Sequence, residues 1–137
     1  LQSNGLSSMG VGLPYAIASK FHYPEQPVMA VVGDMGLWMA LGELGVIQDH
    51  GLDVVVVYFS DSALSLIELK QERQSLPNAG VRFQNPRVEP LAEAFGGTGV
   101  RVQGQDELSV AVEAAFQNGG LQLIEVVIQA QPYRKQM

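Results

Sequence analysis

Short apolar runs alternate with helical patterns along this chain, and the alternation predicts an α/β fold: a doubly wound, mainly parallel sheet with helices on both faces. Two details carry that expectation. The runs at 28–32, 53–59, 99–102 and 121–128 are rich in Val and Ile, as strands buried on both faces should be. Between them, residues 8–21, 38–50, 64–73, 88–95 and 107–116 show helical periodicity, several with capping or breaking residues at their ends. In such folds, ligands sit beyond the carboxyl ends of the strands.

A chain of 137 residues, 47% of them hydrophobic, suffices for one core and one domain. With 14 acidic against 8 basic side chains, its net charge of -6 argues against non-specific affinity for nucleic acid or an anionic membrane, either of which needs clustered Lys and Arg. The lack of Cys removes disulfides, thiolate metal sites, iron-sulfur clusters and cysteine nucleophiles, and fits a reducing compartment; the cytoplasm is the expected address. Residues 1–12 show no initiator Met, basic leader or long apolar segment, so neither a signal peptide nor a membrane span is expected there. That opening reads as a cut, with further domains expected upstream. Residues 74–87, with Pro77, Asn78, Gly80 and Pro86, form a long irregular connection that is either a mobile flap or a plain surface crossover. Residues 129–137 read as a polar tail.

The informative positions lie at strand ends. Gly33-Asp34-Met35-Gly36 follows the run at 28–32 directly, and Ser60-Asp61-Ser62 follows the run at 53–59 in the same way. If those consecutive parallel strands are neighbours, about 4.8 Å apart, the two carboxylates repel unless one is protonated or a cation lies between them. Two Asp with no His or Cys suit Mg²⁺, which takes one or two carboxylates and fills its shell with phosphate oxygens. Backbone N–H groups of Gly36 and Leu37, and of residues 62–65, stand at helix starts and suit an anion without any Lys or Arg.

This pattern resembles a known family. Gly33-Asp34-Met35-Gly36, a helix carrying Gly42-Glu43-Leu44, and a Val-rich strand ending in Ser60-Asp61 resemble the Gly-Asp-Gly to Asn-Asn motif of thiamine-diphosphate-dependent enzymes, with residues 36–59 filling the family's interval. Ser8-Met9-Gly10 with Gly12-Leu13-Pro14 and Ala16 upstream, and Pro90-Leu91-Ala92-Glu93-Ala94-Phe95-Gly96 downstream, resemble the acetolactate-synthase-like branch. The resemblance implies the C-terminal domain that holds the cofactor's diphosphate through magnesium, inside a larger lyase or transferase acting on 2-oxo acids. It also implies a homodimer or homotetramer, with the activating glutamate in a domain outside this chain, so the isolated domain should not turn over substrate. By the same resemblance, Asp34, the side chain of Asp61 and the carbonyl of Ala63 bind Mg²⁺, and Met9 wedges between the cofactor's two rings. Ser7 and Ser8 then approach the aminopyrimidine. Met35, Gly36 and Leu66 offer N–H groups to the diphosphate beside Gly33, and Leu64 and Ile67 border the substrate pocket.

The chain departs from the family pattern at three positions. Met35 stands where the family has Gly, placing a side chain where bare backbone usually approaches the ligand. Ser60-Asp61 replaces Asn-Asn, and Ser65 stands where relatives often have Gly. Two Asp and a diphosphate together outweigh the charge of one magnesium, and helix termini return about half a charge each. Two other readings stay open at this level. One is a degenerate homologue that uses the fold for assembly; the other is a magnesium-binding signalling receiver, which would want a Lys after the run at 99–102, where none stands. Glu43 reads as structural, while His22 and His50 read as turn and helix-end residues rather than catalysts. Gly10-Val11-Gly12 is discounted as a dinucleotide fingerprint because no strand precedes it.

Overall fold

The computed structural model describes Gly5 and residues 8–129. Four strands, β1 (Met29–Gly33), β2 (Val54–Ser60), β3 (Thr98–Val102) and β4 (Leu121–Val127), form one sheet in the order β1-β2-β4-β3. Every neighbouring pair is parallel, with Met29 opposite Val55, Val54 opposite Leu121 and Thr98 opposite Gln122. Six helices connect or flank the strands: α1 (Gly12–His22), α2 (Asp34–Trp38), α3 (Glu43–His50), α4 (Ser65–Arg73), α5 (Val88–Ala94) and α6 (Gln105–Asn118).

Strand alternation sorts the core into two layers. On one face Val54, Val56, Tyr58, Leu121 and Leu123 meet Leu13 and Ile17 of α1, Leu44 and Ile47 of α3, and Val88 and Ala92 of α5. On the other, Val55, Val57, Ile124 and Val126 meet Ala115 of α6, with Leu108, Ala111 and Val112 packed alongside. The sheet is thus doubly wound as the alternation predicts, with α1, α3 and α5 on one side and α6 on the other. No helix among the described residues is long and apolar enough to cross a membrane.

Three expectations change. Burial on both faces holds for β2 and β4, but β1 and β3 are edge strands, and Met29, Val31 and Val100 stay exposed. Position in the sheet, which composition does not encode, decides that. The helix expected over 38–50 is two pieces: α2 begins at Asp34 itself, and the chain then tightens through i to i-3 bonds, Ala40 N–H to the Leu37 carbonyl at 3.0 Å and Glu43 N–H to Ala40 at 2.9 Å. Gly42 and Gly45 weaken helix propensity there, so tertiary packing wins. The helix expected from residue 8 starts at Gly12, because residues 9 and 10 form a turn.

The irregular segment 74–87 is stitched down. Leu64 N–H donates to the Val81 carbonyl at 2.7 Å and Phe83 N–H to that of Ser62 at 3.1 Å, around an antiparallel bridge between Ala63 and Arg82. Arg82 Nε also meets the buried Glu68 of α4 at 2.7 Å. These bonds favour the crossover reading over the flap. Of the polar tail, the described part is Gln129 alone; the rest lies outside the described residues.

Two substitutions probe this packing. A Cβ on Gly99 would lie 2.4 Å from the Val88 carbonyl oxygen at the start of α5. Gly99→Ala should therefore cost about 1–3 kcal/mol in denaturant unfolding, since backbone must move. Tyr58 is fully buried, and its hydroxyl finds no hydrogen-bond partner among the described residues. Burial first, and the neighbouring Glu125 second, push its phenol well above the ordinary value near 10. Above about pH 10 the unfolded chain ionises this group while the folded chain keeps the proton, so stability falls as pH rises. Tyr58→Phe should match or exceed the parent at neutral pH and lose less stability in alkali; a clear loss at pH 7 would contradict an unpaired hydroxyl.

Candidate functional site

The adjacency of β1 and β2 brings Asp34 and Asp61 to one edge of the sheet. Gly33 leaves β1 in extended conformation (φ -85°, ψ 163°), and α2 starts at the next residue. The Asp34 side chain is 4% exposed. Its Oδ1 accepts from the N–H of Met35 at 2.8 Å, and its Oδ2 from the N–H of Ser62 at 3.0 Å and from Nδ2 of Asn85 at 2.9 Å. Asp61, one residue past β2, accepts from the N–H of Ala63 at 3.2 Å through Oδ1 and from the Ser65 hydroxyl through Oδ2. Ser62, which carries a donor to Asp34, is held in the left-handed region at φ 59°. A non-glycine residue there is strained by about 1–2 kcal/mol, so the turn between β2 and α4 is bent to deliver that N–H.

A cleft of about 530 Å³ opens over these groups, and the sequence-predicted residues Ser8, Met9, Gly33, Asp34, Met35, Gly36, Asp61, Ala63, Leu64, Leu66 and Ile67 all line it. Ser7 lies outside the described residues. Met9, Leu66 and Ile67 are about half exposed and give the cleft an apolar wall, to which Tyr15, Val31, Phe59 and Ile128 add. Among the described residues, no Lys, Arg or His lines it, so its only charges are the two carboxylates.

That inventory fits a hard cation. A carboxylate offers about four lone-pair directions. Three of those on Asp34 are taken by neutral donors, leaving one on Oδ1, while Asp61 keeps one on each oxygen. A buried carboxylate with neutral donors and no ion pair among the described residues still lacks a counter-charge, which is costly in a desolvated setting. No group of three or more His, Cys, Asp or Glu side chains stands ready to hold a metal among the described residues, so further oxygens must come from backbone and ligand.

Two details revise the sequence reading. Met35 adopts right-handed helical backbone inside α2, so its Cβ is accommodated and no glycine conformation is required there. Its N–H, expected to serve a diphosphate, is turned onto Asp34 instead. In α4, Ile67 and Glu68 N–H both go to the Leu64 carbonyl at 2.9 Å, which leaves Ser65 and Leu66 as the first-turn donors facing the cleft wall. With five residues, α2 contributes local N–H groups more than a macrodipole.

Sequence reasoning missed Asn85 and Trp38. Asn85 Nδ2 lies 2.7 Å from Ser60 Oγ and 3.4 Å from Ser62 Oγ as well as bonding Asp34, and its Oδ1 accepts from Trp38 Nε1 at 2.7 Å. The sequence signal was slight: an Asn before Pro86 in a stretch without periodicity.

A parallel α/β domain with a ligand-sized cleft over paired carboxylates at the carboxyl ends of adjacent strands has the architecture of a cofactor-binding domain. Residues 1–126 match the family described as thiamine pyrophosphate enzyme, C-terminal TPP binding domain, and the chain belongs to that family. It is 29% identical over 126 residues to acetolactate synthase of Bacillus subtilis, covering 92% of this chain and 22% of that protein. It is also 29% identical over 118 residues to the acetolactate synthase large subunit of Haemophilus influenzae (85% and 21%). Against the acetolactate synthase isozyme 3 large subunit of Escherichia coli it is 29% identical over 136 residues (93% and 23%). The chain therefore spans less than a quarter of the length of these relatives.

The turn that presents Met9 can be tested. Gly10 has φ +87°, and a Cβ there would lie 3.2 Å from Cβ of Met39. Gly10→Ala should lower stability by about 1–2 kcal/mol through the left-handed backbone alone, read as a fall in thermal midpoint.

Proposed function

We propose that this domain holds the diphosphate end of thiamine diphosphate through Mg²⁺, as part of a larger acetolactate-synthase-like enzyme acting on 2-oxo acids. The observation that carries the reading is the pair Asp34 and Asp61, set at the ends of adjacent strands in a cleft with no cationic side chain among its described lining residues. Asp34, Asp61 and the Ala63 carbonyl would hold the ion, and the Gly36 and Leu66 N–H groups would meet the diphosphate. When bound, thiamine diphosphate supplies the carbanion chemistry for decarboxylation or carboligation of a 2-oxo acid, and the protein's part is to orient it.

This chain's residues have separate tasks in that reading. The Ser65 hydroxyl and the Ala63 N–H fix the Asp61 carboxylate, while Asp34 is fixed by donors from three segments. Met9, on the turn before α1, offers a bulky apolar surface against which a bent cofactor can rest. The apolar wall at Val31, Leu66 and Ile67 excludes water only if something covers it. That supports an enzyme whose site is completed by further domains of the same chain and by a second subunit, in a homodimer or homotetramer. A lyase or transferase working in the cytoplasm is the matching assignment.

The test is thermal unfolding of the full-length protein with millimolar thiamine diphosphate, with and without magnesium. At a hundredfold excess over Kd, binding should add about 2.7 kcal/mol by mass action. The increment should require magnesium and vanish in Asp34→Ala. A shift independent of magnesium, or none at all, would sink the reading.

A further inference from the structure

The segment 74–87 does more than cross from α4 to α5: it delivers one amide to the back of the cation site. Asn85 does not line the cleft. Its Nδ2 nevertheless reaches Asp34 Oδ2 at 2.9 Å, from a position 51 residues later in the chain. The chemistry leaves no ambiguity about which way the amide faces. Indole Nε1 is only a donor, so the atom 2.7 Å from Trp38 Nε1 must be the amide oxygen, and the nitrogen must face Asp34 and Ser60. Pro86 restrains the Asn85 backbone from the next position, and the Phe83 to Ser62 bond anchors it from the other side.

We infer that Asn85 is a positioning residue for the cation site: it holds the Asp34 carboxylate so that Oδ1, and not Oδ2, is offered to the metal. This inference rests on the metal reading of the cleft. With Ser62 N–H and Asn85 Nδ2 both on Oδ2, that oxygen has no lone-pair direction left, and the carboxylate is confined to one-oxygen coordination. An amide suits the task because it donates without adding a positive charge. A Lys or Arg in its place would form an ion pair with Asp34 and compete with the metal. Asn85 further ties Asp34, past the end of β1, to Ser60, at the end of β2, so one side chain bridges the two paired strand ends that carry the aspartates.

The experiment uses full-length protein and Mn²⁺ as a paramagnetic stand-in for magnesium. Affinity and the electron paramagnetic resonance line shape are read with thiamine diphosphate present, alongside metal-free melting. Asn85→Ala should weaken Mn²⁺ binding by roughly tenfold, as loss of an outer partner of a metal ligand does. It should also change the line shape as Oδ2 becomes free to join the ion. Trp38→Phe keeps the amide but removes its anchor, and should give a smaller loss in the same direction; it serves as the probe if Asn85→Ala does not fold. If wild type binds Mn²⁺ and Asp34→Ala abolishes binding, yet affinity in the folded variants stays within about twofold of wild type with an unchanged line shape, the positioning role is overturned and the metal site stands. If wild type itself shows no binding that depends on Asp34, the metal reading fails first, and this inference with it.

Discussion

The buried carboxylate of Asp34 is the constraint on which the site depends. It lies one residue past β1 and draws hydrogen bonds from its own helix start, from the turn after β2 and from the segment before α5. Each donor belongs to a different stretch of chain, so satisfying this one charge requires the local geometry of all three. The strained backbone at Ser62 is intelligible on those terms: about 1–2 kcal/mol of left-handed conformation is accepted because the N–H it aims is needed by a desolvated anion. Neutral donors reduce the cost of burying the charge without cancelling it, which leaves the site receptive to a cation.

The sheet supplies the second condition. Because β1 pairs directly with β2, Gly33 lies opposite Phe59, and the residues that follow each strand emerge side by side. Had another strand come between them, the aspartates would sit roughly 10 Å apart and share no ion. The same arrangement places β1 at an edge, leaving Val31 exposed beside the cleft. An apolar wall beside the carboxylates gives the cleft room for a flat organic ligand, which fits the thiamine-pyrophosphate-binding family to which the chain belongs.

Much of this was readable from residue order. The four strands were placed within a residue or so, because Val-rich runs such as 54–57 have few alternatives once Gly51 and Ser60 bracket them. The helix expected over 38–50 was read as one unit because its apolar spacing continues through Gly42. The break after Trp38 follows instead from where Leu37 and Leu44 must pack, both fully buried in one cluster. The candidate site residues stand out in the sequence through Gly33-Asp34 and Ser60-Asp61, and the described ones line a single cleft. Asn85 and Trp38 carry no such signal, because neither belongs to a local pattern and the bond between them spans 47 positions.

Local chemistry therefore determined the alternation of strand and helix, the two strand-end aspartates, and the oxygen-only donor set that suits magnesium. Those properties reside in residue type and short spacing, which survive without a fold. Tertiary structure decided which strands became edges, how each carboxylate is oriented, and that an amide from an irregular segment closes the back of the site. These depend on contacts between residues far apart in sequence, whose side chains meet only after β1, β2 and the segment 74–87 have been brought together.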